Sequence, residues 1–240
     1  MNIYSKDYRI KSYDVDLNKK LKLPRLFHLF QESAYQHASL LNFGYKELKE
    51  KNQFWVLARV KVKFYKIPTW NDKISLTTWH KGARRLFAYR DFQIFDAKDN
   101  PLIEATSSWL VVDLETKRPL RIGNQLNKSS SRVNKSSLDK EPNKISIPDR
   151  IQKMDQRKVF YSDIDLNNHV NNARYLEWLM DSIKLEILKE NTIKSISVNF
   201  LKEAAYNDRI DIYQSINNKR LYSLFQKDND TIFRARLTFK

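Results

Sequence analysis

Cysteine is absent from the 240-residue chain. That excludes disulfides, thiolate metal sites and a cysteine nucleophile together. Glycine is nearly absent, at three residues, and neither G-x-G-x-x-G nor G-K-[ST] occurs, so a nucleotide site built on a glycine-rich phosphate loop is not expected. Long apolar runs are missing as well; none approaches the ~18–20 residues needed to cross a bilayer. The opening segment, Met1 to Asp7, is polar from the start and offers no signal-peptide core. A cytoplasmic protein without stable membrane insertion is the expectation.

What is present is charge and aromatic mass. The chain carries 44 basic and 28 acidic residues, net +16, with 41% apolar and 12% aromatic content. The apolar share suits a globular protein. The positive field attracts polyanions such as nucleic acid, anionic membrane or an acidic protein. Lysine and asparagine are abundant throughout, however, and a compositional bias explains most of the lysines equally well. No zinc-ligand spacing or RNA-binding signature occurs, and the four histidines (His28, His37, His80, His169) are scattered. No nucleic-acid partner, metal or other cofactor is therefore expected.

The chain also contains an internal repeat. Residues 62–76 and 198–212 align without gaps at an offset of 136 (198 minus 62), sharing Val, Phe, Lys, Asn-Asp and Ile. Trp70 meets Tyr206, and Lys73 meets Arg209. Around each copy the pattern is the same. Residues 8–15 read as a strand and 24–41 as a helix, with Phe27, Phe30, Ala34, Ala38 and Leu41 along one face. Strand-like runs follow at 54–66, 72–81, 86–96 and 102–113. In the second copy a strand is expected at 157–162 and a helix over 170–189, lined by Ala173, Leu176, Met180, Ile183 and Ile187. Strands close the chain at 193–202, 208–216, 220–227 and 231–239. One helix per module cannot cover both faces of a sheet, so each sheet is expected to curl around its helix. That predicts an α+β protein of two tandem hot-dog domains, each an antiparallel sheet wrapped around a central helix. The domains are drawn at 1–122 and 148–240. Residues 123–147, poor in large apolar side chains and rich in Ser, Asn and Lys, read as an exposed linker.

A site present in one copy only should show as a difference between the copies. The first difference is Asp165-Leu166-Asn167-Asn168-His169, just before the second helix. Matching Ala173 to Ala34 sets it against Leu26 to Phe30, a largely apolar stretch. In a near-extended segment Asp165, Asn167 and His169 point to one side. They supply an acid, an amide donor and a proton acceptor near neutral pH, beside a helix N-terminus suited to a developing oxyanion. Helix capping alone accounts for one such residue but not for a cluster ending in histidine. The second difference is Glu203, a carboxylate at the sheet position occupied by Ile67 in the first copy. A partly buried glutamate is costly unless paired or functional, although a solvent-facing position is equally open.

At these residues the chain resembles the acyl-acyl carrier protein thioesterases of plants and bacteria. The family's signature runs Asp-x-Asn-x-His-Val-Asn-Asn, then Tyr and Trp; here it is Asp165 to Asn172 with Tyr175 and Trp178. Arg84-Arg85, Arg90-Asp91-Phe92 and Ala105 to Trp109 resemble the family's strands in the first module. The resemblance implies catalytic roles for Asp165, Asn167, His169 and Glu203, and hydrolysis of fatty-acyl thioesters on acyl carrier protein. It also implies that the first module shapes the acyl pocket, with Phe27, Phe30 and Phe64 as candidates, each equally explained as core. Acyl carrier protein is acidic, which makes Lys81, Arg84, Arg85, Arg118 and Arg121 candidate docking residues. Many members carry a cysteine after the glutamate, where this chain has Ala204, so direct attack by water is favoured. Coenzyme A thioesters, a catalytically silent acyl-binding protein, and monomer or homodimer all stay open.

Overall fold

In the computed structural model, residues 2–122, 133 and 135–240 are described. They form two compact units, one of residues 1–22 and 28–142, the other of residues 23–27 and 143–240. Both are antiparallel α+β structures.

In the first unit, β1 (Ile3–Arg9), β2 (Gln53–Phe64), β3 (Lys73–Arg84), β4 (Phe87–Asp96) and β5 (Pro101–Asp113) pair in the order β1-β3-β4-β5-β2, and the short β6 (Pro119–Leu120) adds to β5. In the second, β7 (Gln152–Lys158), β8 (Ile193–Phe200), β9 (Arg209–Asn217), β10 (Arg220–Lys227) and β11 (Asp230–Phe239) pair as β7-β9-β10-β11-β8. The two paths are the same path, which is the topological form of the sequence repeat. Period-two burial shows why these segments are strands. Along β9, Ile210, Ile212 and Gln214 turn inward while Arg209, Asp211 and Tyr213 turn toward solvent.

Helix α1 (Leu23–Leu40) starts on a proline in its first turn, where the missing N–H costs nothing. From residue 28 onward it lies on the first sheet: Phe30 stacks on Phe92 with centroids 4.4 Å apart, and His37 Nδ1 meets Arg90 Nη1 at 2.8 Å. A short α2 (Tyr45–Lys49) follows. In the second unit, α3 (Asn172–Asp181) seats Tyr175 among Phe200, Phe225 and Phe233, at centroid distances of 5.9, 6.2 and 5.4 Å. Each buried aromatic contributes roughly 1.5–3 kcal/mol through burial.

Three expectations need correction. The helix expected over 170–189 is two helices, α3 and α4 (Leu185–Glu190), because the chain turns at Ser182, whose hydroxyl donates to the Leu179 carbonyl at 2.9 Å. The strands expected at 8–15 and 157–162 lie earlier, at 3–9 and 152–158; 3-10 turns over Ser12–Asp14 and Tyr161–Asp163 occupy the remainder. Both are edge strands with mostly exposed side chains, so burial left little alternation to read.

The stretch read as an exposed linker is anchored where it is described. Residues 123–132 and 134 lie outside the described residues. Beyond them, Ser137 N–H donates to the buried Asp91 carboxylate at 2.7 Å, and Trp79 Nε1–H donates to the Lys135 carbonyl at 3.0 Å. Leu138 and Ile145 are buried. Asp91 accepts a further bond from the Thr106 hydroxyl at 2.6 Å, with Lys81 at 3.9 Å, yet burial still pushes its carboxyl above the ordinary value.

Candidate active site

The segment from Asp163 to Asn171 is a closed loop. Asp163, buried, accepts from Phe160 N–H at 2.8 Å and is paired with Arg174 of α3 at 2.6 Å. Asp165 folds its carboxylate onto the N–H of Asn167 at 2.8 Å, while its own N–H donates to the His169 carbonyl at 2.9 Å. Asn168 completes the turn with φ of 64°, a conformation asparagine tolerates better than most residues. Asn171 then caps α3, its side chain accepting from Ala173 N–H at 2.9 Å.

Val170 N–H donates to the Ala204 carbonyl at 2.9 Å, which ties this loop to residues 201–205. The tie brings the two one-copy residues together: His169 Nε2 lies 3.0 Å from Glu203 Oε2, with the side chains 33% and 46% exposed. The pair is open to solvent on a floor of buried groups, Ala204, Val170 and Tyr175 among them. Burial pushes the Tyr175 phenol well above the ordinary tyrosine value, and the Glu203, Asp208 and Asp165 carboxylates add to the shift. An imidazole bonded to a carboxylate at the surface can polarise a water and hold its proton.

Several details differ from the sequence reading. The approach segment is a tight turn, not extended, and one carboxylate oxygen of Asp165 is bonded to the Asn167 N–H that closes it. Asn167 is exposed at the tip. The second N–H of α3 is taken by Asn171, which narrows the expected role of the helix end. Glu203 sits three residues past the end of β8, in a loop rather than in the sheet.

The loops of the two copies also align in a register other than the one that Ala34 and Ala173 suggest. The true counterpart of the Asp163 loop is the loop from Asp14 to Lys22, at an offset of 149 (163 minus 14). Asp16 accepts from Asn18 N–H at 2.8 Å, Asp16 N–H donates to the Lys20 carbonyl at 2.8 Å, and Leu21 N–H donates to the Pro68 carbonyl at 2.8 Å. Lys19 takes Asn168's left-handed conformation, with φ of 59°. These backbone bonds and the aspartate turn bond recur in both loops, whereas the Asn171 cap does not, because Lys22 stands in its place and makes no side-chain cap. His169 thus corresponds to Lys20, and Glu203 to Ile67. The missed signal was legible: Asp14-Val-Asp-Leu-Asn recurs as Asp163-Ile-Asp-Leu-Asn.

Phe27, Phe30 and Phe64 are all buried core. Arg84, Arg85, Arg118 and Arg121 are exposed. Lys81 is turned inward to Asp91, which removes it from a docking surface. Arg90, buried beside His37, has its guanidinium pushed down to about 10 by burial. Among the described residues, no three of His, Asp and Glu are grouped so as to hold a metal ion. No helix of the described residues is long and apolar enough to cross a membrane.

Comparison with known proteins identifies the family. Residues 1–129 match the acyl-ACP thioesterase N-terminal domain and residues 146–238 match the acyl-ACP thioesterase C-terminal domain. The chain belongs to the acyl-ACP thioesterases. It is 28% identical over 227 residues to oleoyl-acyl carrier protein thioesterase 2 of Arabidopsis thaliana, a match covering 87% of this chain and 61% of that one. Palmitoyl-acyl carrier protein thioesterase of Gossypium hirsutum is 24% identical over 230 residues, covering 89% and 54%. The chain therefore spans about three fifths or less of the length of these curated relatives. The crystal structure of an acyl-ACP thioesterase from Bacteroides thetaiotaomicron superimposes with a TM-score of 0.92 at 25% identity, covering 100% of this chain and 98% of that one. The 12:0-ACP thioesterase of Umbellularia californica shares the fold at a TM-score of 0.88 and 20% identity, covering 100% and 98%.

Proposed function

We propose that the protein hydrolyses fatty-acyl thioesters of acyl carrier protein, releasing free fatty acid, with His169 and Glu203 as the working pair. One observation carries the reading. In two loops that share their backbone bonds and aspartate turn bond, only one holds an imidazole against a carboxylate, 3.0 Å apart. Family membership supplies the substrate class.

A water held by the pair attacks the thioester carbonyl carbon, and its proton passes to His169 or Glu203. The carbonyl oxygen becomes an oxyanion, for which the exposed Asn167 amide is the proposed donor. Collapse breaks the carbon–sulfur bond, and the stored proton goes to the leaving thiolate. Ala204, with no thiol, takes no part except through its carbonyl, which fixes the loop. Asp165 acts as the residue that shapes the turn.

The two units are proposed to be tandem hot-dog domains. The acyl chain is proposed to lie against the apolar core of the first unit, to which Phe30 and Phe64 belong, while Phe27 falls in the second unit. The carrier is proposed to dock through exposed cations such as Arg84, Arg85, Arg118 and Arg121, in the cytoplasm, with the protein a monomer or a homodimer. The test is thiol release from matched acyl-carrier and coenzyme A thioesters. Turnover favouring the carrier supports the reading. Faster turnover of coenzyme A substrates reassigns the substrate, and a folded protein without turnover on either refutes hydrolysis.

A further inference from the structure

The first unit keeps the loop frame of the site but not its His–Glu pair, and its surface there differs in charge, whereas exposed apolar side chains stand on both, Leu17 and Trp70 matching Leu166 and Tyr206. Residues 9–22 and 65–73 interlock: Trp70 N–H donates to the Lys19 carbonyl at 2.9 Å, Asn71 N–H to the Ile10 carbonyl at 3.0 Å, and Arg9 pairs with Lys73 across β1 and β3. These two segments hold seven cations and three carboxylates. Of the carboxylates, Asp14 is buried, Asp16 is bonded to the N–H groups of Asn18 and Lys20, and Asp72 is bonded to Thr69. Arg9, Lys11, Lys19, Lys22, Lys66 and Lys73 are exposed. The matching segments of the second unit, 158–171 and 201–209, hold three cations and four carboxylates.

Four large apolar side chains are exposed among these cations: Tyr65, whose hydroxyl donates to Glu104, and three that stand on turns. Tyr13 is 72% exposed on the 3-10 turn, Leu17 is 63% exposed on the Asp16 turn, and Trp70 is 47% exposed before the left-handed Asn71. Apolar residues on separate turns among cations do not make the continuous desolvated patch at the centre of a protein interface. They suit a lipid surface. Single side chains can enter the interfacial layer there while lysines meet anionic headgroups, and tryptophan and tyrosine prefer that layer.

We propose that the face formed by residues 9–22 and 65–73 docks the protein peripherally on anionic lipid bilayers, through Tyr13, Leu17 and Trp70 with the surrounding cations. Binding would hold whether or not the protein hydrolyses thioesters. It would bring the first unit to the phase into which a released fatty acid partitions.

The test is cosedimentation of the full chain with phosphatidylcholine vesicles, with and without phosphatidylglycerol, at rising salt. Binding is expected only with the anionic lipid and should weaken as salt rises. Lys11→Glu with Lys22→Glu and Lys73→Glu should lower partitioning on the order of 100-fold or more, at roughly tenfold or less per cation. Leu17→Ser and Trp70→Ala should each lower it roughly tenfold; Leu17 stands clear of the core, so that variant keeps the test valid if Trp70→Ala melts early. Lys184→Glu with Lys189→Glu and Lys219→Glu applies the same charge change elsewhere and should cost far less. Equal losses for the two triple variants would overturn the patch in favour of net charge. So would absence of binding to anionic vesicles, or loss in the Leu17 and Trp70 variants of binding to an acidic carrier protein but not to vesicles.

Discussion

The loop at Asp14–Lys22 and the loop at Asp163–Asn171 are one structure carrying two surfaces. Both fold an aspartate onto the N–H two residues on, at 2.8 Å, both pass through a left-handed residue, and both hand a backbone N–H to the segment after the second strand of their sheet. Their products differ because Lys20 and Ile67 stand where His169 and Glu203 stand. The frame therefore does not need the His–Glu pair in order to fold, and the pair needs the frame in order to meet. The comparison also divides the motif. Asp165 and Asn167 recur as Asp16 and Asn18 in the copy without the pair, so their presence alone marks a turn, whereas the contact of imidazole and carboxylate belongs to the second copy.

The strongest way to break this division is at the pair. His169→Ala and Glu203→Ala should each lower thioester hydrolysis by roughly 10²–10⁴-fold, measured as thiol release at saturating substrate. The double change His169→Lys with Glu203→Ile, which copies the first loop, should abolish turnover and yet melt within about 4 °C of the parent. A large drop in melting temperature would mean that the pair helps to build the loop.

At the turn, Asp165→Ala should lose about 1 kcal/mol of stability in urea titrations and Asp16→Ala about 1–2 kcal/mol, since the first removes one turn hydrogen bond and the second two. Only Asp165→Ala should slow turnover. Asp165→Asn keeps the acceptor oxygen and should restore most of the rate; failure to do so would mean that the Asp165 charge itself enters the chemistry.

A smaller effect sits at Asp91, which holds the segment after residue 134 to the first sheet. Burial raises its folded-state value above the ordinary 3.8, so over the window just above 3.8 the native state holds more protons than the unfolded one. This group's contribution to stability then falls as pH rises through that window and is flat beyond it. The stability of Asp91→Asn relative to the parent should accordingly shift in the variant's favour between about pH 4 and about pH 7. An unchanged difference across that range would show that Asp91 titrates normally.

Much of this was legible in order of residues alone. The strand runs in both copies appear within a few residues of their places, because inward and outward side chains alternate along a half-buried strand. The exceptions are β1 and β7, edge strands whose polar side chains carry no such alternation. His169 and Glu203 stood out because each breaks the repeat.

The remainder depended on contacts between residues far apart in the chain. The copies have two offsets, 136 at the strands and 149 at the loops, since the first copy has more residues between its loop and its second strand. Carrying the match from Ala34 to Ala173 therefore misaligned the site, although the repeated Asp-x-Asp-Leu-Asn was there to be read. Nor could local pattern show that Ser137 and Leu138 are buried, because a polar stretch gives no sign of the carboxylate that anchors it. By itself the sequence determined which residues could carry acid–base chemistry and which segments alternate, since side-chain chemistry and strand period are local properties. Tertiary structure alone decided that Val170 bonds to Ala204 and so sets His169 against Glu203, because that hydrogen bond joins residues 34 positions apart (204 minus 170).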